Sequence, residues 1–360
     1  MSAGPAFSGS ETFRDAPLPA SGLPPRILAA LRAAGAATLG DLCGPLPACE
    51  RLDADHRALL GRVAAWCRAA CQGRPPPLNL PEWLSLFLPP RLADALHLRY
   101  GLPDPAAAIA LHESKLRDVG FQLGVTRERA RQLLALAFGA LRQTLPLFAA
   151  EPLFRAAENA LRAAGGALDA AALAARADPA WGGASPVGAF LLLAQLLPGR
   201  IVVYRGFFSE FSDVFLDRAE KALRDRLALS GGLLPLAEIA AGLPPAARPP
   251  RGIPAESLLL VLLRHLPDGL ATRDGRAGLA ERDAPELLRE ILAASGATPL
   301  RALVDAFNAR LWPECRRGSG FVRDALRRDP RIRPAAPGRY ALPGGHQPDL
   351  PLRPGVLRST

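Results

Sequence analysis

The sequence predicts a mainly α-helical chain of tandem small domains rather than one large core. Three observations predict this. The 360 residues exceed what one ordinary hydrophobic core organises. Leucine and alanine recur at helical spacing over most of the chain. Beyond Glu151 one plan appears three times: a first, second and third helix, then a short hairpin containing Gly-Arg or Arg-Asp-Gly. Three helices followed by a two-stranded ribbon is the plan of a winged helix, so about three such units are expected after a helix-turn-helix.

Taken in order, residues 1–20 are Gly, Pro, Ser and Ala without periodicity and are expected to form a flexible tail. Residues 21–73 form a helical domain, with one helix over Pro25–Ala36 (Ile27, Leu28 and Leu31 on one side) and another over Asp55–Cys71. Prolines Pro75, Pro76 and Pro77 mark a linker at 74–82. Residues 83–149 are helical and hold the helix-turn-helix. The winged units are expected at 150–209, 210–283 and 284–345. Their first helices lie near Leu153–Ala164, Phe215–Ala228 and Pro285–Ala294, and their hairpins at Arg200–Phe207, Gly269–Leu279 and Ile332–Leu342. A second flexible tail follows at 346–360.

Composition narrows the function. The net charge is +10, and all basic residues but Lys115 and Lys221 are arginine. A GC-rich genome accounts for arginine as well as binding does, but the net charge still favours a polyanionic partner, nucleic acid first. Five scattered cysteines (Cys43, Cys49, Cys67, Cys71, Cys315) argue against a secreted disulfide scaffold. Without facing CxxC pairs, they are expected to be buried or free thiols rather than zinc ligands. Glu11, Arg14 and Asp15 interrupt any secretion signal, and the apolar stretches Val187–Leu197 and Leu258–Leu263 are too short to span a bilayer. A cytoplasmic, nucleoid-associated protein with no membrane contact is expected.

The most specific signal lies at Lys115–Leu133. Leu116, Val119 and Leu123 form an apolar stripe, and Gly120 leaves room for a second helix to cross. Gly124 suits a left-handed helix end. Thr126 suits an N-cap, and Glu128 complements the helix dipole. Ala130, Leu133, Ala137 and Leu141 form the inner face of the second helix, while Arg127, Glu128, Arg131 and Gln132 face outward. Those four are the groups that reading base edges in a major groove requires: arginine for guanine, glutamine for adenine, glutamate for cytosine. A solvated polar face on an ordinary helical hairpin is the competing account.

Leu88-Pro89-Pro90-Arg91, Leu96 to Leu102 and Val125-Thr126-Arg127-Glu128-Arg129-Ala130-Arg131-Gln132 together resemble region four of the primary bacterial sigma factors, which reads the promoter −35 element. The resemblance implies base contacts from Arg127, Glu128, Arg131 and Gln132. It also implies phosphate or neighbouring contacts from Thr126, Arg117 and Arg129, a double-stranded DNA partner, and RNA polymerase as a further one. The connection Pro103–Ser114 is longer than the family usually has. No counterpart of the promoter-melting region is found, since opening DNA needs stacking aromatics and the aromatic share is 6%.

Two weaker likenesses flank this segment. Leu23 to Leu31 with Ala37 to Leu42 resembles the C-terminal domain of the RNA polymerase alpha subunit, where Arg26 would be the minor-groove contact. Ala29 replaces the polar residue expected there, which favours a structural or protein-binding domain. Phe321 to Pro330 with Gly338 to Leu342 resembles the winged helix of the RNA polymerase delta subunit, or HARE-HTH, type. Eleven arginines against six acids lie between Pro285 and Leu342. Arg316, Arg317, Arg323 and Arg327 are expected to line its third helix with Arg339 on the wing, and of these Arg323, Arg327 and Arg339 are the phosphate contacts. The third helices of the first two units, Pro186–Leu197 and Ala255–Leu266, are too apolar to face phosphate. They are expected to be buried or to dock another protein.

No phosphate loop ending in Lys-Ser or Lys-Thr and no His-Glu-x-x-His is present. His56, His97, His112, His265 and His346 are scattered, and Asp53, Asp55 and His56 read as a solvated helix start. A non-enzyme without metal or cofactor is expected. The role expected of it is that of a transcription regulator or, as the alternative, a DNA-targeting scaffold subunit of a helicase or nuclease assembly.

Overall fold

The computed structural model describes residues 14–45, 52–72, 76–102, 114–176 and 178–343. It contains sixteen α-helices and nine short strands among the described residues. The chain divides into two compact units, Met1–Asp213 and Val214–Thr360.

The first unit opens with part of the expected tail folded. Leu18–Ser21 is a 3-10 turn with Leu18 fully buried, and Pro17 bridges Thr38. Prolines on either side of Leu18 restrict the chain and lower the entropy lost in seating one apolar anchor. Helix α1 (Pro25–Ala33) and helix α2 (Ala54–Cys71) follow. Asp53 caps α2 through the His56 amide at 2.9 Å and meets the His56 ring at 2.6 Å, so the Asp53–His56 cluster is a helix start. Arg26 pairs with the same aspartate at 3.3 Å, both side chains exposed.

The expected linker at 74–82 is shortened by helix α3 (Leu80–Phe87), which begins inside it. Asn79 and Glu82 form a reciprocal capping box, each accepting from the other's amide at 3.0 Å. Leu80, Trp83, Leu84 and Phe87 are buried, so apolar burial carries the helix up to the last prolines. Helices α4 (Pro90–Tyr100), α5 (Leu116–Gln122), α6 (Arg127–Leu141) and α7 (Thr144–Ala149) complete the block. The Trp83 ring N–H donates to the Pro146 carbonyl at 2.9 Å, tying α3 to α7.

The first winged unit runs α8 (Glu151–Ala163), β1 (Ala167–Asp169), α9 (Ala170–Ala174), α10 (Pro186–Leu196), β2 (Val202–Tyr204), β3 (Phe207–Ser209). Its sheet order is β1-β3-β2, antiparallel throughout. Helix α10 is buried almost end to end, from Pro186 through Leu193 and at Leu196. It packs on α4 so closely that a Cβ on Gly188 would collide with the Tyr100 carbonyl. It is therefore interior, and the expected docking of a partner on it is not available. One continuous hydrophobic core joins Leu18 and Ile27 to Trp83, Leu141, Phe190 and Phe208, so segments expected as separate modules share an interior. On the wing side, Arg200 bonds Glu151 at 2.7 Å and Glu158 at 2.8 Å and stacks over Phe154.

One expectation about cysteine is revised, and Cys67 keeps the other. Cys43 and Cys71 are joined as a disulfide with Cα atoms 6.9 Å apart. The helical turn of Leu39–Leu42 delivers Cys43 to the last turn of α2, a proximity that sequence spacing does not reveal. Cys67 is a buried free thiol whose pKa burial pushes up to about 12. Cys49 and His112, the tail at 346–360 and nearly all of Pro103–Ser114 lie outside the described residues.

The second unit repeats the plan twice. Helix α11 (Asp213–Leu229), β4 (Leu234–Pro235), α12 (Leu236–Ala241), α13 (Ala255–His265), β5 (Gly269–Ala271) and β6 (Arg276–Leu279) form one repeat, with sheet order β4-β6-β5. Helix α14 (Ala280–Ser295), β7 (Thr298–Pro299), α15 (Leu300–Arg310), α16 (Ser319–Arg328), β8 (Arg333–Ala336) and β9 (Arg339–Ala341) form the other, with order β7-β9-β8. Helix α14 begins at Ala280, ahead of the expected start at Pro285. Proline lacks the N–H that the Glu281 carbonyl would accept, and the Arg328 guanidinium supplies a replacement donor at 3.2 Å. The middle wing is consumed internally. Arg276 grips Glu290 at 2.7 and 2.9 Å, Arg310 bonds the same carboxylate at 3.0 Å, and Thr272 bridges Leu311.

Candidate nucleic-acid interface

The turn between α5 and α6 is built as its residues require. The Val125 amide donates to the Gly120 carbonyl at 2.8 Å and the Gly124 amide to the Phe121 carbonyl at 3.2 Å, a paired closure of the helix end. Gly124 has φ 64°, where a side chain would be strained. A Cβ on Gly120 would lie 2.9 Å from the Val125 carbonyl oxygen, so glycine permits the close approach of the following turn. Thr126 Oγ1 accepts from the Arg129 amide at 3.2 Å and starts α6.

Ala130, Leu133, Ala137 and Leu141 are buried as the inner face, with Leu134 joining them. Tyr100 meets Phe138 edge-on at 6.2 Å, and Arg142 bonds the Gln195 carbonyl at 2.7 Å, fixing the far end of α6. The near end is open. Arg127, Glu128, Arg129, Arg131 and Gln132 are all exposed. Glu128 takes two bonds from Arg131, at 2.9 and 2.6 Å, and one from Gln132 at 3.4 Å. Arg129 donates to Gln132 at 3.1 Å. The Arg131 hydrogen bonds hold the Glu128 carboxyl below its ordinary pKa. Arg117 is exposed on α5 and lies 3.4 Å from Asp118. Thr126 uses one acceptor site of its hydroxyl as a cap, and the hydroxyl proton remains for an outside acceptor such as a phosphate.

On α16, Val322, Ala325 and Leu326 are buried, while Arg323 and Arg327 are exposed. Arg327 lies 3.7 Å from Asp324. Arg339 is half-buried on β9. Arg316 and Arg317 do not lie on α16, which starts at Ser319. Arg317 is structural, its guanidinium donating to the Pro267 and Gly269 carbonyls at 3.1 and 3.0 Å. Arg333, exposed on β8, joins this surface without having been singled out. Its alternation of basic and apolar residues, Arg331-Ile332-Arg333, was the available signal.

No group of three His, Cys, Asp or Glu side chains is arranged for a metal among the described residues, and none of their helices is long and apolar enough to cross a membrane.

Two helices closed by a glycine turn, the second capped by threonine with its polar first turns exposed, define a helix-turn-helix of the nucleic-acid-binding class. Residues 87–143 match the family described as sigma-70, region 4. That segment therefore carries a region-4-like helix-turn-helix, which points to DNA binding in a sigma-like, transcription-related setting. No curated protein and no solved structure matches the chain.

Proposed function

We propose that this chain is a non-enzymatic, sequence-specific double-stranded DNA-binding regulator of transcription, acting in the cytoplasm beside RNA polymerase. One observation carries the reading: the outer face of the first two turns of α6 is uncovered and presents Arg127, Glu128, Arg131 and Gln132 to solvent. Such a helix start inserts into a major groove, and those side chains match base-edge donors and acceptors. Arg323, Arg327 and Arg339 add phosphate contacts that strengthen grip without reading sequence. The delta-type likeness of the last winged unit supports a polymerase-associated role, as does the alpha-type likeness of the first helices.

Selection of bound fragments from random duplex tests this. Enrichment of a defined motif is expected. Recovery of an unenriched pool, with a helicase or nuclease co-purifying, would replace the regulator with a targeting scaffold.

A further inference from the structure

The polar residues at the start of α6 form a linked set rather than independent contacts. Both Glu128 carboxylate oxygens accept from Arg131, and Oε1 also accepts from Gln132, whose own Oε1 accepts from Arg129. Of the arginines here, only Arg127 makes no side-chain hydrogen bond to another described residue. In the free protein the charge of Arg131 is thus neutralised within its own helix.

This has unequal consequences for two kinds of DNA. Glu128 occupies the Nε–Nη2 edge of Arg131; to turn that edge to a phosphate, Arg131 leaves Glu128, and a bare carboxylate then faces a polyanion. A base edge carrying an amino group replaces what Glu128 loses, because that group donates to the carboxylate. The ion pair is solvent-exposed, each side chain 60% accessible, so opening it changes binding by no more than about fivefold. A correct site recovers that factor and an incorrect one does not.

We propose that Glu128 is a specificity-determining latch that withholds Arg131 and Gln132 from phosphate until bases take their place. This rests on the duplex-reading proposal above.

The test titrates the full chain and Glu128→Gln with a random-sequence duplex pool over a salt series. The variant is expected to bind tighter by up to about fivefold, with a salt slope steeper by about 0.9 as Arg131 gains a phosphate. Affinity and slope equal to the parent's overturn the latch. The same change placed in an Arg131→Ala background should yield a much smaller gain. An undiminished gain there assigns the effect to net charge alone and also overturns it. Binding of duplex by neither protein would remove the DNA-reading proposal itself, a result distinct from unchanged binding.

Discussion

At the scale of single residues, the helix-turn-helix depends on a few stereochemical choices. Gly120 and Gly124 allow the turn, Thr126 starts the second helix, and Arg127 stands at its first position with no side-chain hydrogen bond to a described residue. Replacing Arg127 by alanine should weaken binding by roughly 1–3 kcal/mol, confined to sites carrying one particular base pair. Competition binding against single-base variants of a selected site measures this. Uniform weakening would make Arg127 a phosphate contact. These features were legible because each rests on local stereochemistry that one residue type satisfies. The latch was not, since a glutamate three residues before an arginine is compatible with either a paired or an open arrangement.

Among the elements, the three winged repeats share a topology but not an exposed surface. Only α16 carries a charged outer face; α10 is interior, and the middle wing is locked by Arg276 and Arg310 on Glu290. Neutralising Arg323 and Arg327 together should lower the salt slope of duplex binding by about one unit per lost phosphate contact. An unchanged slope would place α16 outside the interface. The Glu290 network makes a pH prediction. The Arg276 hydrogen bonds hold Glu290 below its usual pKa, so its stabilisation is present above the ordinary glutamate value of about 4.3 and is lost as pH falls through the lowered folded value. The difference in thermal midpoint between the parent and Glu290→Gln should be largest near neutrality and close in acid. A pH-independent difference would show that the ion pairs contribute nothing. Helices and hairpins were readable from apolar spacing and turn residues. The strands β1, β4 and β7, only two or three residues long, were not, because alternation needs more residues than they have.

At the largest scale, within the first unit, segments that composition separates are joined by packing. Prolines at 75–77 mark a linker in the sequence, yet the Asn79 cap and the burial of Trp83 begin a helix almost at once. Pattern within a segment cannot show which segments share an interior, and distant cysteines give no hint of meeting. The Cys43–Cys71 bond closes 28 residues of sequence separation, for which chain entropy predicts stabilisation of about 3–4 kcal/mol. Thiol reductant should lower the melting midpoint of the first unit, and Cys43→Ser should lower it equally while abolishing the response to reductant. A melt indifferent to both would show that the bond does not form in solution.

The seating of α10 against α4 bears on how this reading head can be used. The Ser185 amide donates to the Leu102 carbonyl at 2.8 Å, and Arg142 reaches Gln195. A fragment cut at the family boundaries would therefore carry an open apolar seam along α4. Grafted onto a foreign protein it would tend to aggregate, so the portable cassette is the first unit entire.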